Sequence, residues 1–497
     1  MTAPMTPIAP PERATLCRPR SSKGAVIQDL QRVWHLGALA AALGACTASA
    51  AAVEPPESQF YFPTAAAVAP DDSVLFVTNG NSELRYDSGT ISVIDLAYAD
   101  MIAGNWTVGG GIPTDDDCSA TTSDGSPQCC APDPDHAETL ICDETHFMRP
   151  NSAARVGNFA TDIAIQDTLN GTLRLIVPTR GDPSITWVDW DGSMLSCNAD
   201  GKDFELCDDD HRLSYIHNDP NIGILPDEPF NVWASSAGEF AVVSHFSTGD
   251  VSLINSPIGE KATVADLSTA LFEPDPTTGL IGASGVAGRT SPAGDVVYVG
   301  ASTEDRIQTY TVGRPVNDAD PFLIPGNYFF LDGVGGQAGD SEDTRGMKFS
   351  TDGNELYLIN RDPPSLQIFD TSLKATGYPA NQVVAVADLC REASMLQVVD
   401  SGDGDRVYVS CFEDGVIYVL DPSGGGTLLD QIQTGSGPYG VAASVARKKI
   451  YVTNFLDDTV AVIDIAPGSP TRDRVVLRIG TVKPPVAPTT ATQPITF

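Results

Sequence analysis

The chain has 497 residues, 42% of them hydrophobic, with 45 Gly and 37 Pro; it is long enough for a large core and too rich in turn residues for a helical protein. Its formal net charge of −36 repels phosphate backbones and argues against a nucleic-acid partner. Taken in chain order, the first feature is a charged stretch ending at Arg32, then apolar residues 36–45, then Cys46. Such a stretch is too short to span a bilayer as a mature helix and reads as a signal peptide over 1–45. Leu43-Gly44-Ala45-Cys46 also matches a bacterial lipobox, so Cys46 is expected to be acylated and to become the mature N-terminus. Thr47 in place of Asp then implies the outer membrane, and a lipid-anchored location in the bacterial cell envelope or periplasm. Residues 46–57 are small and Pro-bearing, a tether, and 483–497 form a Pro/Thr-rich tail.

Between them one pattern recurs seven times. In its clearest copy Pro438-Tyr439-Gly440-Val441 precedes Tyr451-Val452-Thr453-Asn454 by 13 residues, and Val462-Ile463-Asp464 closes the copy. The interval of 13 recurs from Pro63 to Phe76, Pro229 to Val242, Gly285 to Tyr298, Thr344 to Tyr357 and Met395 to Tyr408. The copy at Ala160, Val177 and Asp189 departs from it. Short runs of Val, Ile, Tyr and Phe separated by loops such as Thr351-Asp352-Gly353-Asn354 read as antiparallel strands, four to a unit. Radial repetition of such units is a β-propeller, so the expected fold is all-β, a seven-bladed ring over 58–482 with disulfide-bearing loop insertions. No sustained helical period is read beyond residue 45.

The Tyr451-Val452-Thr453-Asn454 run, with its Pro438-Tyr439-Gly440-Val441 and Val460-Ala461-Val462-Ile463-Asp464 companions, resembles the YVTN-repeat family of β-propellers. Phe76-Val77-Thr78-Asn79 is a near copy. The resemblance covers roughly 58–482 and implies the fold. Family members range over surface-layer-like, binding and lactonase-like proteins, so it does not imply one activity.

Eight cysteines lie beyond Cys46, an even number in an exported chain, and disulfides are expected. Cys118, Cys129, Cys130 and Cys142 fall in an insertion over 104–155, placed between blades 1 and 2, pairing either as 118–129 with 130–142 or as 118–130 with 129–142. Cys197 and Cys207 flank an acidic loop and suit a local bridge. Cys411 ends a second strand and Cys390 precedes the first strand of the same blade, which puts both on one face and predicts a bridge. His136, Cys142 and His146 could ligate zinc, but the disulfide claims Cys142, and no metal site is expected. Asp115-Asp116-Asp117, Asp133-Pro134-Asp135 and Asp208-Asp209-Asp210 are expected to be solvated acidic loops, with Ca²⁺ the alternative; no other cofactor is implied.

Repeat alignment ranges Asn79, Arg180, His245, Asn360 and Asn454 on one face, with Arg345 and Arg361 close by. This Arg/His/Asn funnel could hold an anionic small molecule or orient a lactone and a water; strand-end capping is the plainer reading of the same residues. The expectation is a lipid-anchored envelope propeller that binds or scaffolds a protein or small-molecule partner, with no catalytic residue assigned. The alternatives are a lactonase-like hydrolase working at His245 and Arg180, and an oxidoreductase with a non-covalent cofactor on the axis. An enzyme would need His245 and an acidic group within reach of one pocket.

Overall fold

The computed structural model describes residues 53–111, 129–167, 171–197, 204–214, 225–235, 239–257, 259–269, 271–275, 279–291, 294–314, 320–331 and 343–480. The expected signal peptide, Cys46, the acidic run 115–117 and Cys118 lie outside them.

Seven separate sheets make a seven-bladed β-propeller. Blades 3 to 6 each take four consecutive antiparallel strands, as in blade 5: Thr344–Phe349, Glu355–Arg361, Pro364–Asp370 and Gln382–Asp388. Second strands are buried throughout in blades 1 to 3, as in Val74–Asn79 and Phe240–His245, and along most of their length in the others, because each lies between two neighbouring blades. That is why these strands read as unbroken apolar runs and not as an alternation. Apolar clusters fill the spaces between blades: Ile176, Trp187, Val232 and Val243 between blades 2 and 3, and Tyr298, Leu356, Leu358 and Phe369 between blades 4 and 5.

First strands line the axis. In six blades they carry the same irregularity, one extra residue between two pairings, such as Pro63 opposite Asn79 and then Ala66 opposite Val77. This β-bulge turns its extra residues away from the ladder. It also explains the glycine of the repeat: a Cβ on Gly440 would stand 2.3 Å from the Thr64 carbonyl oxygen of blade 1, and one on Gly285 2.4 Å from that of Arg345. Backbones of adjacent blades touch there, and only hydrogen fits. Hydroxyls stitch the contacts: Thr64 Oγ1 donates to Ala160 O (2.7 Å), Ser244 Oγ to Ser284 O (2.7 Å) and Thr453 Oγ1 to Thr64 O (2.6 Å).

The ring closes without sharing a strand between its ends. Blade 7 is Pro438–Ser444, Lys449–Asn454, Thr459–Asp464 and Arg474–Ile479, all from the C-terminal side. Blade 1 is Pro63–Val68, Val74–Asn79 and Gly89–Asp95, with Ala154–Val156 as its fourth strand, so the Cys-rich segment leaves and re-enters blade 1. That segment opens with a helix missing from the sequence expectation, α1 (Leu96–Thr107), capped by Asp95 and burying Leu96, Ala99, Ile102 and Ala103. Further on, Leu140–Cys142 pairs in parallel with Arg474–Ile479 and in antiparallel with Cys130–Pro132, which makes blade 7 six-stranded.

Three disulfides link Cys130 to Cys142, Cys197 to Cys207 and Cys390 to Cys411. The first rules out pairing 118–130 with 129–142; Cys129 is also disulfide-bonded. No described helix is long and apolar enough to cross a membrane. No group of three or more His, Cys, Asp or Glu among the described residues could hold a metal ion.

Candidate ligand site at the funnel mouth

The seven sequence candidates divide into two groups according to where the strand ends place them. Asn79, His245 and Asn454 close their second strands, Asn360 stands one residue before the end of its own, and all four are buried. Each ties the strand end to the loop entering its own blade. Asn79 Oδ1 accepts from Tyr61 N (3.2 Å), Asn360 Oδ1 from Asp343 N (3.1 Å), and Asn454 Nδ2 donates to Thr434 O (3.1 Å). His245 Nδ1 lies 3.1 Å from Asp227 O, which can only accept, so this nitrogen carries the proton; Nε2 then takes the Ser252 hydroxyl at 2.7 Å. Burial holds its pKa down to about 4, and the ring is neutral. In blade 6 the same link is covalent, Cys390 to Cys411.

Arg180, Arg345 and Arg361 belong to the other group. Thr179, not Arg180, stands opposite Ala160 in the way that Asn79 stands opposite Pro63. Arg180 is therefore one residue past the cap, the position of Gly80, Phe246, Ser302, Arg361, Phe412 and Phe455 in the other blades. Arg345 follows the first residue of its first strand, where the bulge presents Thr64, Phe230, Ser284, Ser394 and Tyr439 elsewhere. All of these residues except the buried Ser284 line the mouth. Two adjoining hollows of about 500 and 570 Å³ share Glu228, Arg361 and Glu392 as a common wall.

Every arginine at the mouth has its own carboxylate. Arg180 meets Glu228 at 3.0 Å, Arg345 meets Asp343 at 2.7 Å and Arg361 meets Glu392 at 2.8 Å. Arg361 also donates to Ala393 O and Ser394 Oγ, both at 2.8 Å, bracing blade 5 against blade 6. Arg180 and Arg345 flank one aromatic pair, their guanidinium carbons 4.7 and 4.8 Å from the Phe246 centroid, with Phe230 5.0 Å from Phe246. Burial dominates the electrostatics of the inner pair: it pushes Asp343 above the usual carboxylate range and pulls Arg345 below the usual guanidinium range, each partner opposing the shift of the other. Tyr439 is raised by burial against the pull of Arg345 and Arg361, so it remains a neutral phenol.

The aromatic wall is absent from the sequence candidates. Phe412 and Phe455 stand 5.9 Å apart, Phe62 lies 5.3 Å from Phe455, and Phe159 and Phe230 face the same hollow. The repeat alignment held the signal, since Phe246, Phe412 and Phe455 each follow the aligned strand-end residue by one.

No family model and no curated protein matches the sequence. Solved structures similar in fold include a candidate 6-phosphogluconolactonase of Bacteroides fragilis (15% identity, 68% of this chain and 91% of that one, TM-score 0.48). The periplasmic gluconolactonase of Pseudomonas aeruginosa is 16% identical over 76% of this chain and 86% of its own, TM-score 0.44. Hydrazine synthase of Kuenenia stuttgartiensis is 14% identical over 83% and 97%, TM-score 0.48. At such identities the likeness concerns the propeller fold alone.

Proposed function

We propose that this chain is a ligand-binding propeller of the YVTN-repeat type, lipid-anchored at Cys46 in the bacterial cell envelope, which takes a small molecule at the funnel mouth. The observation that carries the reading is the composition of that mouth: aromatic faces set between arginines that are already paired with carboxylates. Three guanidiniums against Glu228, Asp343 and Glu392 leave no surplus positive charge, and Asp275 and Asp362 line the adjoining hollow. A small neutral ligand with hydroxyls and one apolar face suits this lining better than an anion does. The alternative, a lactonase-like hydrolase, places its chemistry at His245 and Arg180, and of these only Arg180 lines the mouth. The His245 imidazole is fully buried with both ring nitrogens hydrogen-bonded.

Saturation-transfer NMR with methyl hexopyranosides, the matching uronates and inorganic phosphate tests the proposal. The neutral glycosides are expected to bind, and Phe412→Ala to weaken them about tenfold, roughly 1.4 kcal/mol. Uronates or phosphate binding more tightly would reject the neutral ligand, and binding unaffected by Phe412→Ala would reject the mouth.

A further inference from the structure

We propose that the Cys-rich segment of blade 1 is the closing clasp of the ring, and that it holds the funnel mouth in shape across the seam between blades 1 and 7. Many toroidal arrangements of sheets close by letting one end of the chain complete the blade begun by the other. Here each terminal blade has four strands of its own, so the seam is joined in another way. The join at the rim comes from the segment that leaves and re-enters blade 1. Leu140–Cys142 lies in parallel along Arg474–Ile479, and Gly480 N donates to Cys142 O at 2.8 Å. Thr139 Oγ1 donates to Val475 O at 2.7 Å, and Arg478 reaches the Asp133 carboxylate at 3.2 Å with both side chains nearly buried. The Cys130–Cys142 bridge ties the two strands of this hairpin at directly opposed positions, so the gripping edge is stiff.

The same seam runs beneath the mouth. Phe62 of blade 1 packs on Phe455 of blade 7, and Phe62 N donates to Asp458 Oδ1 at 2.6 Å. Arg85 lies 4.6 Å over Phe62 and 3.7 Å from Asp458. Thr64 and Gly80 on one side face Tyr439 and Phe455 on the other across the hollow of about 500 Å³. Releasing the rim leaves the seam to its inner contacts: these, the Thr453 hydroxyl on Thr64 O, Ser444 and Arg447 on Asp72, and the apolar packing of Leu75 and Val77 near Tyr451 and Val462. The outer edge of blade 7 then loses its support, and the loosening reaches the two walls of the mouth along the seam. An apolar cluster spanning Leu140, Phe147, Val462, Leu477 and helix α1 makes the clasp part of the core.

Hydrogen exchange on the full chain reads the seam directly. In a Cys130→Ser/Cys142→Ser variant, amides of Arg474–Ile479, Pro63–Val68 and Pro438–Ser444 are expected to exchange at least tenfold faster, with blades 3 to 5 unchanged. Deleting residues 481–497 should leave all of these rates alone, because blades 1 and 7 each have four strands among the described residues. If the double variant fails to fold, Arg478→Gln, which removes one grip and no disulfide, should show the same local pattern at smaller amplitude. Exchange that rises equally in every blade, or not at all at the seam, would overturn the clasp. The outcome is independent of whether any ligand binds at the mouth.

Discussion

At the end of the second strand, three kinds of side chain meet the same demand. Asn79, Asn360 and Asn454 bond through an amide, His245 through an imidazole and Cys411 through sulfur, each reaching back to the loop that enters its blade. The repeat made this position legible, but spacing fixes where a Cα lies and not which way its side chain turns. That is why four buried caps and three mouth-lining arginines stood together as one candidate funnel. The slip at Arg180 has a local cause: blade 2 departs from the interval of 13, and Thr179 and Arg180 offer no apolar pattern by which to choose between them. His245 gives the sharpest residue-level test. Unfolded, an imidazole titrates near 6.5, whereas burial holds His245 at about 4. Between these values the unfolded chain binds more protons, so stability is lost as pH falls from about 6.5 towards 4 and levels off below, a loss of about 3 kcal/mol. His245→Asn, borrowing the cap of blades 1, 5 and 7, should flatten that part of the pH profile in urea denaturation. An unchanged slope would mean that other groups carry it.

Elements were legible where they repeat and illegible where they occur once. The second strands and their partners fall where the interval of 13 puts them, and the Cys390–Cys411 bridge follows from the same alignment. Helix α1 escaped because its buried positions Leu96, Ala99, Ile102 and Ala103 make fewer than three turns of pattern. The strand Leu140–Cys142 is three residues long, and its partner is remote in sequence, so no local signal could announce it. Disulfide 390–411 spans 21 residues, and by loop entropy its removal costs about 3 kcal/mol. Chemical denaturation should find that cost for Cys390→Ala/Cys411→Ala and a smaller one for Cys390→Ala/Cys411→Asn, where the amide restores part of the link. Equal losses in the two variants would show that the asparagine cap contributes nothing in that blade.

For the whole molecule, the ring offers its aromatic mouth on one face while the tether is expected to fix the chain to a bilayer. Cys46→Ser should release the protein from the membrane fraction; retention through a high-salt wash would point to another mode of attachment. The closing clasp also sets an order of events in time. Thr139 and Val475, hydrogen-bonded in the finished ring, are 336 residues apart in the chain. In a chain exported N-terminus first, as proposed above, Thr139 reaches the oxidising envelope well before Val475. Blades 1 to 6 can therefore form while the hairpin edge at Leu140–Cys142 is still waiting for its partner. A bridge over only 12 residues lets that hairpin take shape early, and Pro132 on its outer strand lacks the amide that a stray strand would need. Annealing of blade 7 onto this edge then becomes the last step of maturation, and a chain truncated before residue 474 should accumulate as an open arc with its final strand-pairing site still vacant.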